Sequence, residues 1–135
     1  MTIEDALFGF LSSQQAIAAV LGNPVRLYYR RSPDTTVFPA ATFKKITGRR
    51  EVTHSGKAGL AQRHFQISVR SGNAKEANDI ADLIADTLDG YSGPMGGAQG
   101  LPKVDCEVDN EIDFEEPETR LHHAAVDVLL WYRRS

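Results

Sequence analysis

The chain has very little cysteine and no long hydrophobic run, and each shortage excludes a class of protein. Cys106 is the single cysteine among 135 residues, so an internal disulfide is excluded and a reducing compartment is favoured. The longest apolar run, residues 16–21, is far shorter than the roughly 20 residues that a membrane-spanning helix requires. Residues 1–5 are acidic where a secretory signal would be basic. We therefore expect a cytosolic protein with no membrane partner.

The composition is sufficient for one hydrophobic core. The chain is 41% hydrophobic and 24% charged, and a chain of this length buries roughly two-thirds of its unfolded surface. The net charge of −3 argues against a general nucleic-acid-binding protein. We predict a single domain that spans residues 1–135.

Hydrophobic periodicity predicts an α+β fold. Thr2 and Ser13 are expected to cap two short N-terminal helices, and Asn73 is expected to cap the longest helix. This order of elements predicts a mainly antiparallel sheet of about five strands with helices packed on one face. The expected strands are residues 25–30, 40–51, 62–71, 103–115 and 119–133, and the long helix is residues 74–88.

Two polar or glycine-rich segments interrupt this pattern. Residues 91–102 contain four glycines and almost nothing that a core could bury, so they are predicted to form a mobile loop. Residues 53–61 are polar and are predicted to form the tip of a hairpin between two strands.

Charge is distributed very unevenly along the chain. Residues 26–70 hold ten Lys or Arg and two acids, a local charge of +8, whereas residues 73–118 hold thirteen acids and two Lys, a local charge of −11. Opposite patches of this kind steer association and set its register. The plainer interpretation is two solvated surfaces that meet no partner.

A regular series of carboxylates stands out within the acidic half. Every odd position from 105 to 115 is acidic, and the even positions are mostly apolar. Because side chains alternate along a strand, the spacing predicts one apolar face and one acidic face. Neighbouring carboxylates about 7 Å apart repel each other by about 0.6 kcal/mol even in water. The six residues are Asp105, Glu107, Asp109, Glu111, Asp113 and Glu115.

Three explanations for this acidic series remain open. It is a soluble face that blunts aggregation between sheet edges, or it pairs with the basic half of a second copy, or it lines a passage through which a polyanion slides. The complementary basic patch would comprise Arg30, Arg31, Lys44, Lys45, Arg49, Arg50, Arg63 and Arg70.

A tight turn at residues 117–118 would determine what lies beside the carboxylates. It would pair Glu115 with Arg120 and Asp113 with His122, and it would place the remaining carboxylates beside aliphatic residues of the last strand. A face that mixes carboxylates with aliphatic side chains is typical of a subunit interface. The aliphatic candidates for that interface, or for the wall of the passage, are Val126, Val128 and Leu130.

The motifs of catalysis are not found in the sequence. The glycine-rich segment lacks the Gly-x4-Gly-Lys-Ser/Thr order of a phosphate-binding loop. His122 and His123 are expected on opposite faces of a strand, where they cannot bind one metal together, and Cys106 is interpreted as a small core residue. We predict no catalytic, cofactor or metal site and no enzymatic activity.

The order of elements resembles the tail-completion proteins of long-tailed bacteriophages, which are also called tail terminators or tail-to-head joining proteins. The resemblance runs over nearly the whole chain, and related gene-transfer-agent particles use similar parts. It is carried by residues 18–22 at the end of the helix pair, 25–29, 38–41 at the start of the second strand, 64–71 leading into 74–88, and 122–128.

The resemblance implies a homo-oligomeric, six-fold ring on the end of the tail tube, in the tail or neck of a virion assembled in the host cytoplasm. Its partners would be the tail tube protein and the head-tail connector protein, with no cofactor, and DNA would pass through the bore without specific binding. Together with the two segments above, this role suggests four residues for contact with the tube or connector: His54, Lys57, Tyr91 and Met95.

Two other functions remain as alternatives. A head-side connector or stopper protein belongs to the same class and differs in its position in the particle. A small ligand-binding regulatory domain, in which the glycine-rich segment closes over a ligand, belongs to another class.

Overall fold

The structure is a computed structural model and describes residues 2–22, 25–30, 37–51, 60–96, 100–115 and 121–133. The residues form three helices and six strands. In chain order these are α1 (Ile3–Ser12), α2 (Gln15–Leu21), β1 (Leu27–Tyr29), β2 (Ala40–Glu51), β3 (Leu60–Ser71), α3 (Ala74–Leu88), β4 (Ser92–Met95), β5 (Leu101–Glu115) and β6 (His122–Arg133).

The two N-terminal helices begin differently from each other. Thr2 caps α1 as expected, because its Oγ1 accepts a hydrogen bond from the Asp5 amide at 3.1 Å. The prediction that Ser13 caps α2 is wrong. Ser13 remains in the right-handed helical conformation at the end of α1, where its hydroxyl donates to the Phe10 carbonyl at 2.8 Å. Gln14 occupies the cap position of α2 without a side-chain bond.

The sheet is mixed and has six strands in the order β1-β2-β3-β6-β5-β4. β1 runs parallel to β2, and the other neighbours are antiparallel. The α+β class is confirmed. The sheet has six strands instead of about five, and it is mixed because β1 is parallel to β2. The additional strand is β4, which lies within the segment that we had expected to be a mobile loop.

The prediction of a mobile loop after α3 is wrong for the described residues. Tyr91 packs its ring against Phe10 with centroids 4.5 Å apart, and its carbonyl accepts a bond from the Cys106 amide at 2.8 Å. Met95 is 1% exposed and belongs to the core. The glycines allow close approach here, since a Cβ at Gly100 would lie 2.2 Å from the Met95 carbonyl oxygen. Residues 97–99 lie outside the described part.

One hydrophobic core joins the helices to the sheet. The apolar stripe predicted for α3 is buried at Ala77, Ile80, Ala81, Ile84 and Leu88, which confirms the amphipathic assignment. Alternate residues of β3, such as Phe65 and Ile67, are buried as predicted, and alternate residues of β6 join the same cluster. No helix in the described ranges is both long and apolar enough to cross a membrane.

Asn73 positions α3 by capping its first turn. Its Oδ1 accepts hydrogen bonds from the amides of Lys75 at 2.8 Å and Glu76 at 3.2 Å. We expect Asn73→Ala to lower the free energy of unfolding by about 1 kcal/mol, because both amides lose their acceptor. Urea denaturation followed by circular dichroism measures this change.

The matched control is Asn78→Ala, inside the same helix. The side-chain Nδ2 of Asn78 donates to the Ala74 carbonyl, which is also an acceptor within the helix. Alanine has a higher helix propensity than asparagine. This variant should be as stable as the wild type or slightly more stable. Equal losses in both variants would show that the cap contributes nothing specific.

Candidate assembly surfaces

A β-bulge interrupts the acidic series in β5. Val108 pairs with Val128 of β6, whereas Asn110 pairs with Asp127, so Asp109 is an extra residue without an opposing partner in β6. A one-residue bulge reverses the face on which each following side chain lies. The strand therefore does not keep one face from end to end.

The six carboxylates consequently do not share a face, and the prediction of a single acidic face is wrong. Before the bulge, Glu107 pairs with Leu129, which lies on the face away from the helices. After the bulge, Glu111 pairs with Val126, a core residue on the helix side. Asp105 lies on the same face as Glu107, and Asp113 lies on the same face as Glu111. These four side chains and that of Asp109 are exposed. The backbone of Glu115 pairs with His122.

The register of β5 against β6 also differs from the expected one. Asp113 pairs with Ala124 rather than His122, and Asp105 pairs with Trp131 rather than Leu130. The expectation assumed a tight turn at residues 117–118, but the observed pairing of Glu115 with His122 leaves residues 116–121 between the strands. Burial of alternate residues of β6 is consistent with the observed register, and the expected turn at residues 117–118 lies outside the described residues.

The three aliphatic residues proposed for an interface or a passage are core residues. Val126, Val128 and Leu130 are each 0% exposed and pack with the helices of their own subunit. They are therefore removed from the candidate surface, because a neighbour would reach them only by opening the core. The other face of β6 presents half-buried Leu129 and Trp131 instead.

Beyond the bulge, β5 and α3 form an acidic groove of about 250 Å³. Glu111 and Asp113 line one side, and Asn78 and Asp82 of α3 line the other. Asp82 was missed as a site residue because the helical pattern places it on an ordinary solvated face, and no sequence signal announces the bulge. No group of three or more His, Cys, Asp or Glu in the described ranges is arranged to hold a metal ion.

Part of the predicted basic patch gathers at the edge of the sheet. Lys44 and Lys45 are exposed on β2, just beyond the three residues that pair with β1. Arg30 reaches the same edge, since its amide donates to the Phe43 carbonyl at 2.8 Å. The Arg30 guanidinium carbon lies 5.4 Å from the centroid of the Tyr29 ring. The backbones of these three residues therefore lie close together at this edge, with the Lys44 and Lys45 side chains on opposite faces.

The remaining predicted basic residues lie elsewhere in the sheet or outside the described part of the chain. Arg63 lies on β3, inside the sheet, with its guanidinium carbon 5.9 Å from the centroid of the Tyr132 ring. Arg70, also on β3, is half-buried and pairs with Ala40. The backbones of Arg49 and Arg50 pair with Gln62 and Ala61, and Arg31 lies outside the described residues.

The four residues suggested for contact with the tube or connector differ in their exposure and in whether the structure describes them. His54 and Lys57 lie outside the described residues. The Tyr91 side chain is half-buried, and its hydroxyl donates to the Pro94 carbonyl. Met95 is buried in the core and is removed from the candidate contacts, because its side chain offers no surface to a partner.

The face of the sheet that carries Glu107, here called the helix-free face, has a polar centre. His64 Nε2 lies 3.8 Å from Asp127 Oδ2, with the two side chains 22% and 14% exposed. His64 Nε2, Asp127 Oδ1 and Arg70 Nε are buried without a hydrogen-bond partner among the described residues. The described helices pack on the opposite face, so a partner has access to this one. The face includes Lys44, Gln62, His64, Gln66, Arg70, Asp105, Glu107, Asp127, Leu129 and Trp131.

Cys106 is a core residue, as the sequence indicated. It is 5% exposed, and its amide and carbonyl bond to Tyr91 and Gly90. Burial, followed by the negative charge of Asp105, raises the pKa of the Cys106 thiol to about 12. The thiol is therefore neutral at physiological pH and is not an activated nucleophile.

Comparison with known proteins identifies one family and one fold. Residues 5–133 match the family described as Tail completion protein gp17. No curated protein matches the chain. Among solved structures, a chain of the "Virion of native gene transfer agent (GTA) particle" is similar with a TM-score of 0.71 and 13% identity, covering 98% of this chain and 95% of that one. At this identity the likeness shows the fold.

The packing around Cys106 predicts slow thiol chemistry. At pH 8 the thiolate fraction of a group with a pKa of about 12 is about a thousandfold lower than with the ordinary value of 9.0. We expect an aromatic disulfide reagent to label the folded protein far more slowly than the protein in urea, as measured by absorbance. The free energy of unfolding should also decline as the pH rises from 9.0 towards 12. Equal labelling rates with and without urea would contradict the burial of Cys106.

Proposed function

The chain belongs to the Tail completion protein gp17 family, and from this membership we propose that it is a structural protein that forms a ring on the end of a tail tube. In this position the ring stops polymerisation of the tube and joins the tail to the head connector. The extent of the family match carries the proposal, because residues 5–133 reach from the first turn of α1 to the last residue of β6.

The shared fold supports a place for this protein in the tail or neck of a particle. The similar chain comes from a gene transfer agent virion and matches almost end to end. The partners in this proposal are further copies of the chain, the tail tube protein and the head-tail connector protein. Assembly takes place in the host cytoplasm.

The distribution of exposed charge supports a closed ring. A head-to-tail ring needs two different complementary surfaces on each subunit. The cations Lys44 and Lys45 lie towards one end of the sheet, and the carboxylates Glu111 and Asp113 lie on the fifth strand of six, towards the other. Each subunit thus presents opposite charges in opposite directions, as a ring of identical copies requires. The six-fold symmetry comes from the family resemblance.

We place the helix-free face on the bore of the ring. The described helices occupy the other face, which leaves the sheet to line the passage. Asp105 and Glu107 are exposed on the β5 side of this face, and Lys44 is exposed on its β2 side. Carboxylates make none of the phosphate contacts that retain DNA by counterion release. The genome would therefore pass without specific binding.

Removal of the protein tests the tail-completion role directly. Particles assembled without this chain should carry tubes longer than normal that are not joined to heads, because nothing ends polymerisation or offers the docking surface. Electron micrographs give the tube length and the fraction of joined particles, and supplying the chain again should restore both. Tails of normal length joined to heads would contradict the role, whereas a protein found only on heads would indicate a head-side connector.

The placement of the helix-free face on the bore predicts the effect of adding positive charge there. Asp105→Lys/Glu107→Lys should leave tube length normal but make rings hold DNA. Two lysines per subunit should steepen the dependence of log affinity on log salt concentration by about 2 per subunit that touches DNA. Filter binding across salt concentrations measures this slope.

The control for this variant is Asp79→Lys/Asp86→Lys, which makes the same change in net charge on the exposed surface of α3. It should retain much less DNA than the Asp105→Lys/Glu107→Lys variant. Equal retention by the two variants would indicate that the helix-free face does not line the bore.

A further inference from the structure

The two outermost strands, β1 and β4, are short, and each pairs with only part of its long neighbour. β1 pairs with β2 at residues 41–43, and β4 pairs with β5 at residues 101–105. Further along β5, the backbones of Gly90 and Tyr91 hydrogen-bond to Cys106, and the Asp89 carboxylate accepts a bond from the Val108 amide. In the part of the chain that the structure describes, no strand pairs with the outer side of residues 44–51 of β2 or of residues 109–115 of β5.

These two open edges carry opposite charges. Residues 44–51, here called the basic edge, contain four Lys or Arg and one Glu, and residues 109–115, the acidic edge, contain four carboxylates and no cation. The side chains of Lys44, Lys45, Glu111 and Asp113 are exposed. An exposed edge also presents unpaired backbone amides and carbonyls, which form a template for another strand.

The strand directions allow the two edges to meet in a ring. Going from β2 through β3 and β6 to β5, each neighbour is antiparallel, so β5 runs opposite to β2. Copies related by rotation about a ring axis keep the same strand direction relative to that axis. The acidic edge of one copy therefore meets the basic edge of the next in antiparallel orientation. The two edges are similar in length, seven and eight residues.

We propose that the acidic edge of one subunit pairs with the basic edge of the next, so that the six-stranded sheet continues across each interface of the ring. The inference rests on the ring proposed above and specifies the surface that closes it. Backbone hydrogen bonds join the two strands, and cross-strand pairs of opposite charge select the partner.

Charge also opposes random aggregation through the open edges. Two acidic edges repel each other, as do two basic edges, so only the unlike pairing is favourable. Each open stretch contains a bulge residue, Ile46 in β2 and Asp109 in β5. Bulges limit promiscuous pairing by twisting an edge strand. The edges are thus protected against self-pairing and remain open to each other.

Two complementary variants test this pairing. Glu111→Lys/Asp113→Lys reverses two exposed charges of the acidic edge and brings its net charge from −4 to 0. Lys44→Glu/Lys45→Glu reverses the two exposed charges of the basic edge and brings its net charge from +3 to −1. Each variant therefore loses the attraction between its exposed charges at 111 and 113 and those at 44 and 45. We expect each alone to self-associate on the order of 100-fold more weakly than the wild type. An equimolar mixture should recover association, because at every interface of an alternating ring the charges at residues 111 and 113 are then opposite to those at residues 44 and 45.

Sedimentation velocity gives the oligomeric state, with circular dichroism to confirm that each variant is folded. The control, Asp79→Lys/Asp86→Lys, makes the same change in net charge as the acidic-edge variant but alters exposed positions of α3, outside both edges. It should associate like the wild type. Association of either edge variant at wild-type strength, or a mixture of folded variants that does not recover, would overturn the edge pairing.

Hydrogen exchange separates strand pairing from mere contact of charged faces. Within residues 109–115, the amides that point away from β6 should exchange at least about tenfold more slowly in the assembled protein than in the dissociated subunit. Rings that form without this protection would also overturn the proposal.

Tube capping, measured in parallel, keeps the two proposals distinguishable. Edge variants that form normal rings but no longer end tube growth would show that the edges bind tube protein, which overturns the pairing between copies and leaves the tail-completion role intact. Wild-type protein that stays monomeric with and without tube ends would overturn both.

Discussion

The long antiparallel ladder between β3 and β6 is the constraint on which the rest of the structure depends. Both strands are 12 residues long and pair without a register shift from Leu60 with Arg133 to Ser71 with His122. One face of this ladder is buried against the helices, and a slip of one residue in either strand would expose the core side chains. β2 and β5 pair with the two sides of this ladder, and each contains a bulge that the ladder itself does not have.

The two bulges lie in the strands that carry the proposed pairing edges. β2 and β5 each run alongside the central ladder, and each shifts register once, near Ile46 and at Asp109. In β5 the shift sends Glu107 and Glu111 to opposite faces, so one strand contributes charge both to the helix-free face and to the groove beside α3. A single alternating sequence thereby serves two surfaces, which a regular strand cannot do.

Local patterns predicted much of the fold and little of the site. The bounds of β2 and α3 were predicted correctly, since the first follows an alternating pattern and the second combines the Asn73 cap with a helical stripe. β4 was missed because Met95 is the only large hydrophobic residue within it, and its burial depends on α1 and β5 nearby. Val126 and Val128 were assigned to a surface because their cross-strand partners were misplaced.

The sequence by itself determined the α+β class, the separation of positive from negative charge, and the resemblance to tail-completion proteins. These depend on composition and short-range order, which the chain carries in any conformation. Only the tertiary structure decided the six-stranded mixed sheet, the division of the carboxylates between two faces, and the two open edges of opposite charge. Register and bulges are set by how β5 fits against β6 and its buried face, and that fit involves residues distant in sequence.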